Sequence, residues 1–574
     1  MRDMKEGISK TNEYLLKKKV LLSLLATLVL AGAVICIVAG ARSHNKDEPS
    51  PPSHGIIKSA CSSTLYPELC FSSITSEHEN VTNKLFSHKD VINVALDIGY
   101  RFVHRNYLLV EKLLTRKSLS KRVKTALNDC LETIGETLDD ITKAKKDLQD
   151  YPSQTKSLYK HADDIKTFIS SAVTNHVTCL DGFSHKLAEK RFRKLYLLKA
   201  QLYAQYLCSN ALAMAKNLTD TDIAIHEKSM SMKERKMVEK EEWPEWISAE
   251  DKRLLQSDSV TPNVVVAADG SGNYKTVSAA VAAAPSKSSS RYVIRIKAGV
   301  YRETVDVPSS KTNIMLLGDG SSKTIITASK NVVDGGTTFH SATVAVVGDG
   351  FLARGITFQN AAGPSKEQAV ALRVGADLSA FYLCGFIAYQ DTLYVHSNRQ
   401  FFVKCYVAGT VDFIFGNSAA VLQDCDINAR RPNPKQKNTI TAQGRTDANQ
   451  NTGIVIQKSR INATTDLYAV KNTFQSFLGR PWQDHSRTVI MQTSISDIID
   501  PAGWLEWDAD SPLDPLYYGE YKNTGAGAST SKRVNWKGFK VITSASEAQS
   551  FTPGNFISGS NWLPSTGFPY SLGL

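Results

Sequence analysis

Three cysteines in the C-terminal half recur at nearly one fixed interval. Cys384 and Cys405 are 21 residues apart, and Cys405 and Cys425 are 20 apart. Gln368 and Gln390 are 22 apart, and Asp391 and Asp412 are 21 apart. Each cysteine closes an apolar-rich run of similar shape: AFYLC, FFVKC and VLQDC. A period of about 20–22 residues made of short strands marks a parallel β-solenoid. One period forms one coil, and equivalent residues of adjacent coils lie about 4.8 Å apart. Gln368, the pair Gln390-Asp391, and Asp412 are therefore expected on three successive coils, close together on one face. The same spacing brings Cys405 within disulfide reach of Cys425, with Cys384 as a competitor.

From Thr261 onward, short β-rich runs such as VIRIKAG, IMLLGDG and VDFIFG alternate with Gly, Asn and Asp turns. No long amphipathic helix alternates with them, so a doubly wound α/β fold is disfavoured, while a sandwich or barrel stays open. The preceding half is different. Between Cys61 and Met237 apolar residues recur at helical spacing around 91–114, 123–148 and 191–215, and Pro67 and Pro152 are the only prolines. A helical bundle is expected there. Its cysteines Cys61, Cys70, Cys130 and Cys179 suit an oxidising compartment, and four cysteines allow three pairings.

The chain begins with six basic residues between Arg2 and Lys19, followed by an apolar run over 20–41. That run is long enough to cross a bilayer, and the flanking charges place residues 1–19 in the cytosol as the tail of a signal anchor. A cleaved signal peptide is the alternative. Residues 42–56, rich in proline, read as a stalk, 57–225 as the bundle, 226–258 as a charged linker and 259–565 as the solenoid. Sequons at Asn80, Asn217 and Asn462 fit a secretory route. The linker holds a basic site, Lys252-Arg253-Leu254-Leu255, where a processing protease could cut.

Of 574 residues, 68 are Lys or Arg and 56 Asp or Glu, a net charge of +12. About +5 falls on residues 257–574 and the rest on the preceding half. Neither half has a concentrated basic patch, so no nucleic-acid partner is expected. Mild positive charge suits an acidic polymer. The C-terminal half has no Gly-x-Ser-x-Gly elbow and no His/Cys spacing for zinc, so neither a serine esterase nor a metal site is expected, and no cofactor is implied.

Five ordered segments of the solenoid half resemble plant pectin methylesterases: Gly299–Glu303, Gln368–Arg373, Gln390–Leu393, Gly409–Gly416 and Leu478–Trp482. The CSSTLYPELC opening of the bundle and its two later cysteines resemble the pectin methylesterase inhibitor family. The resemblance implies a four-helix bundle followed by a right-handed parallel β-helix, acting on cell-wall pectin after secretion to the apoplast. It implies Asp412 as nucleophile, Asp391 as general acid and then base, and Gln390 and Gln368 as donors to the oxyanion. Arg480 would orient Asp412, and Trp482 and Thr338 would contact substrate. It also implies disulfides Cys61–Cys70, Cys130–Cys179 and Cys405–Cys425, and a pro-region that silences or chaperones the enzyme until cleavage. The family's usual processing site has two arginines before Leu-Leu, and Lys252 replaces the first.

Taken singly, these residues have plainer readings. An Asp in a β-helix commonly caps a turn, Arg480 suits a surface ion pair, and Trp482 suits packing. Phe413, Ile414 and Phe415 read as wall or core, Asn417 as a turn residue, and His340, His396 and His485 as bystanders. The alternatives to an esterase are a lyase or glycosidase of the same polymer, or a non-catalytic pectin-binding or inhibitor protein.

Overall fold

The computed structural model describes residues 52–77, 84–229 and 261–574. The expected cytosolic tail, the apolar span, Asn80 and the site Lys252–Leu255 lie outside the described residues. No helix among the described residues is long and apolar enough to cross a membrane.

Helices α1 (Pro52–Cys61) and α2 (Pro67–Thr75) form a hairpin closed by the disulfide Cys61–Cys70. Thus α1 starts inside the stretch expected as stalk. Proline suits a first helical turn, where its missing N–H would be unpaired anyway. Next come α3 (His88–Leu114), α4 (Lys121–Asp150) and α5 (Leu158–Asp181), then the short α6 (Leu187–Tyr196) and long α7 (Leu198–Ser229). Ser87, Ser120 and Ser157 cap α3, α4 and α5, each accepting from the backbone N–H three residues on. The four long helices close a ring, α3 and α5 each packing against both α4 and α7. Cys130–Cys179 ties α4 to α5 across its core. The expected four-helix bundle is therefore present, with three short helices added.

Among the described residues, the C-terminal half has three parallel sheets of eleven, eight and seven strands. A central coil gives one strand to each sheet. One coil holds Ser379–Tyr382, Gly385–Ile387 and Leu393–Val395. The next holds Arg399–Val403, Tyr406–Gly409 and Ile414–Gly416. Phe381 pairs with Phe402, Phe386 with Val407 and Leu393 with Ile414, the same 21-residue offset on every side. This is the parallel β-helix the spacing requires.

A shared corner explains the repeat. Gly355, Leu383, Lys404, Asp424, Lys458 and Gln492 follow successive strands of the eleven-stranded sheet and hold φ between 50° and 66°. The chain turns there into the eight-stranded sheet. The next residue points inward, so Ile356, Cys384, Cys405 and Cys425 stack in the core. The expected Cys405–Cys425 bridge is not formed. Cys384, Cys405 and Cys425 are buried thiols. Cys405 Sγ lies 3.4 Å from the carbonyl oxygens of Phe381 and Val403, and Cys425 Sγ lies 3.4 Å from that of Gln423. The three thiols stand in a column, with Cys405 in contact with both Cys384 and Cys425.

Phe381 anchors the core, fully buried and stacked on Phe402 with ring centres 4.8 Å apart. Phe381→Ala should lower the stability of the β-helix by about 3–5 kcal/mol, read as a shift of its denaturant midpoint.

Candidate active site

The seven-stranded sheet turns one side chain row outward. Leu372 and Val374 point into the core, while Ala345, Arg373, Tyr394, Phe415, Ala442 and Arg480 pair in series across neighbouring coils on the other face. Tyr394 stacks on Phe415 at 4.3 Å, and Phe415 meets Trp482 at 6.0 Å. A Cβ on Gly444 would come within 2.8 Å of the Trp482 indole, so only glycine lets that ring lie where it does. The row is thus an aromatic floor with a guanidinium near each end.

Asp391 and Asp412 sit at the corner leading into this sheet, on adjacent coils, with φ of 62° and 52°. The Asp391 N–H donates to the carbonyl of Val411 at 3.0 Å, which stitches the two corners together. Left-handed backbone costs roughly 1–2 kcal/mol at a non-glycine residue, and it aims both carboxyls toward the groove. Both are nearly buried, with 7% and 5% exposure. Arg480 forks onto Asp412, with Nε 2.8 Å from Oδ1 and Nη2 2.6 Å from Oδ2. Thr439 adds a hydroxyl to Oδ1 at 2.6 Å and accepts the Asp412 N–H at 2.8 Å. Asp391 has no such partner. Burial, and then the charge of Asp412, hold its pKa well above the ordinary value, with Arg480 opposing. One carboxyl is locked as an ion-pair partner, and its neighbour is pushed toward the protonated form. Arg480 in turn lies over Trp507, its Cζ 4.1 Å from the ring centre.

Gln390 immediately precedes Asp391, and its carbonyl accepts from Ala369 N–H at 3.2 Å. Ala369 follows Gln368, so both glutamines meet at this corner. Gln368 Oε1 is buried without a protein partner. Thr338 is half-buried at the head of the turn Phe339–Ser341. The structure thus brings together Gln368, Gln390, Asp391, Asp412, Arg480 and Trp482, as the spacing and the motifs led one to expect.

The bundle lies across this groove. Thr178 Oγ1 of α5 is 2.9 Å from His396 Nε2, and Asn417 Nδ2 donates to Thr174 Oγ1 at 2.8 Å. Thr174, Val177, Thr178 and Asp181 line a small gap with Tyr394 and Trp482. Helix α4 brings Asp129 onto the Thr337 hydroxyl and Glu132 to within 2.7 Å of Arg373. Lys143 pairs with Asp349 at 2.6 Å, and Asp164 with the buried Arg399 at 2.7 Å. His396 and Asn417 are therefore docking residues, not a bystander and a simple turn.

Residues 263–560 match the family model described as Pectinesterase. The chain belongs to the pectinesterase family. Residues 55–214 match a second model, plant invertase/pectin methylesterase inhibitor. A tomato (Solanum lycopersicum) pectinesterase/pectinesterase inhibitor U1 is 63% identical over 97% of both chains. Pectinesterase 1 of Citrus sinensis is also 63% identical, over 97% of this chain and 96% of its own. A solved pectin methylesterase from carrot is 73% identical and superposes with a TM-score of 0.55, covering 55% of this chain and all of its own. That solved chain is thus matched over its whole length by about half of this one.

Thr439 and Trp507 did not emerge from the 21-residue spacing. Ile414 pairs with Thr441, an offset of 27, because the 430–437 segment lengthens that coil and carries the partner of Asp412 out of step. The acidic stripe on α4 had a readable signal: Asp129, Glu132, Glu136 and Asp140 recur every three or four residues on one helix face. Because the folded state pushes Asp391 toward the protonated form, ionising it opposes folding. Its contribution is intact below the unfolded pKa near 4 and is lost as pH rises toward the folded value. Asp391→Asn should therefore raise the denaturant midpoint over wild type at pH 7, with the gain vanishing below about pH 4.

Proposed function

We propose that this chain hydrolyses the methyl esters of pectic homogalacturonan, giving methanol and free galacturonate. The observation that carries the reading is the unequal carboxyl pair: Asp412 forked by Arg480, and Asp391 buried without such a partner, its pKa raised. An Asp412 oxygen adds to the ester carbonyl carbon, and the electron pair moves onto the carbonyl oxygen. The amide N–H groups of Gln368 and Gln390 stabilise that oxyanion. Collapse expels the methoxy group, which takes the Asp391 proton and departs as methanol, leaving an acyl anhydride on Asp412. Asp391, now ionised, takes a proton from water as its oxygen adds to the acyl carbon. A second collapse releases Asp412 and the uronic acid, with Asp391 reprotonated. The aromatic floor, Trp482 included, stacks sugar rings, and Thr338 lies at its rim.

The bundle acts as an autoinhibitory pro-region. What supports this is the seat of α5 over Tyr394 and Trp482, where substrate would lie. Cleavage at Lys252-Arg253-Leu254-Leu255 would release it, in a precursor carried into the secretory pathway by the apolar segment 20–41 and anchored there. Asn217, exposed on α7, and Asn462, half-buried, are the described glycan acceptors.

Methanol release from methylated pectin tests the reading. The chain cut in the 230–260 segment and freed of its bundle should be active. Asp412→Ala should lower its kcat by about 10⁴-fold or more. Gln390→Ala should cost about 10²–10³-fold. Equal rates for wild type and Asp412→Ala would refute the nucleophile.

Docking should depend on pH. Burial raises Asp129 to about 7, and burial with the charge of Glu132 raises Glu136 to about 8. Both groups are neutral when docked, so their contribution holds in acid and is lost as pH climbs through 7 to 8. In size-exclusion of the cut chain, more bundle should stay bound at pH 5 than at pH 8. The opposite order would contradict this assignment.

A further inference from the structure

Arg373 stands in the outward row of the groove, and the β-helix gives it no counter-ion. Its ion-pair partner is Glu132 of α4, with Glu136 and Asp129 of the same helix nearby. Its own domain supplies only a ring: the guanidinium carbon lies 3.4 Å from the centre of Phe339, next to Thr338. That stacking fixes the plane of the fork. The side chain is 4% exposed, yet Nη2 alone has a partner, Glu132 Oε1 at 2.7 Å. Nε and Nη1 are buried and unpaired. A planar fork with two idle donors is complementary to a carboxylate bound through both oxygens, which Glu132 does not supply.

The position relates it to the reaction. Arg373 pairs with Tyr394, one coil on, and Tyr394 with Phe415, on the coil of Asp412. Two coils separate it from the nucleophile, roughly 10 Å along the axis. That is the span of a few sugar rings along one polymer.

We propose that Arg373 binds the free carboxylate of a uronate lying along the groove from the reacting ester, and that Glu132 occupies this place in the uncut chain. The inference rests on the esterase reading and adds a preference: the enzyme engages polymer already carrying free carboxylates. A bundle carboxylate then blocks the groove by standing in for one on the substrate.

The test uses the cut, bundle-free protein in an Asp412→Asn background that leaves esters intact. Calorimetry compares a non-esterified oligogalacturonide with a fully methyl-esterified one of equal length. Arg373→Gln should weaken binding of the first about tenfold and of the second less than threefold, and Arg373→Lys, which keeps the charge but not the fork, should restore only part of the loss. In the Asp412 enzyme, the ratio of kcat/KM on half-esterified to fully esterified pectin should fall about tenfold with Arg373→Gln. Equal losses on both oligomers would mark Arg373 as a structural residue, and no loss on either would mark it as a docking residue for the bundle alone. Both results overturn the proposal. If the unsubstituted enzyme released no methanol, the esterase reading would fall, while the binding comparison would still decide whether Arg373 recognises a carboxylate.

Discussion

Backbone hydrogen bonding between coils sets the central distance of this molecule. A parallel ladder holds neighbouring strands about 4.8 Å apart, whatever their side chains. Asp391 and Asp412 occupy equivalent corners of adjacent coils, so their separation is inherited from the ladder and needs no separate design. The backbone bond from Asp391 to Val411 is part of that ladder. What the side chains contribute is inequality. Arg480 and Thr439 reach one carboxyl and leave the other to burial, which makes two identical groups unequal, one ion-paired and one pushed toward its neutral form.

The same regularity makes the groove a surface that a polymer can follow. Tyr394 and Phe415 stack because they hold one register position on adjacent coils. The bundle uses that surface in its turn. Its α4 stripe matches Arg373, and α5 lays Thr174 and Thr178 against Asn417 and His396. Docking buries carboxyl groups that favour neutrality, so the grip of the bundle is tied to proton concentration.

Much of this was legible in the sequence, for a physical reason. The left-handed corner and the small inward residue behind it recur once per coil, and the cysteines fall on that inward position. Counting from them gives the coil and brings Gln390, Asp391 and Asp412 together. Counting fails where a coil changes length, as at 430–437, and so Thr439 was hidden. It also fails for direction: Cys405 and Cys425 are near each other, but their thiols bond carbonyls. The roles of His396 and Asn417 were hidden because they appear only when a second domain arrives. A solitary polar residue in a sequence carries no mark of a partner more than two hundred residues away.

Covalent continuity has a further consequence for the docked bundle. While the chain is intact, its groove faces an occupant carried on the same chain, and covalent linkage of two binding modules can raise the effective concentration to about the millimolar range. Even a weak interface then stays closed. Cutting between Ser229 and Thr261 would turn an intramolecular equilibrium into a bimolecular one. Occupancy would thereafter follow dilution. Such a cut would act as a change of concentration, and an interface of moderate strength would suffice both to cover the groove and to clear it.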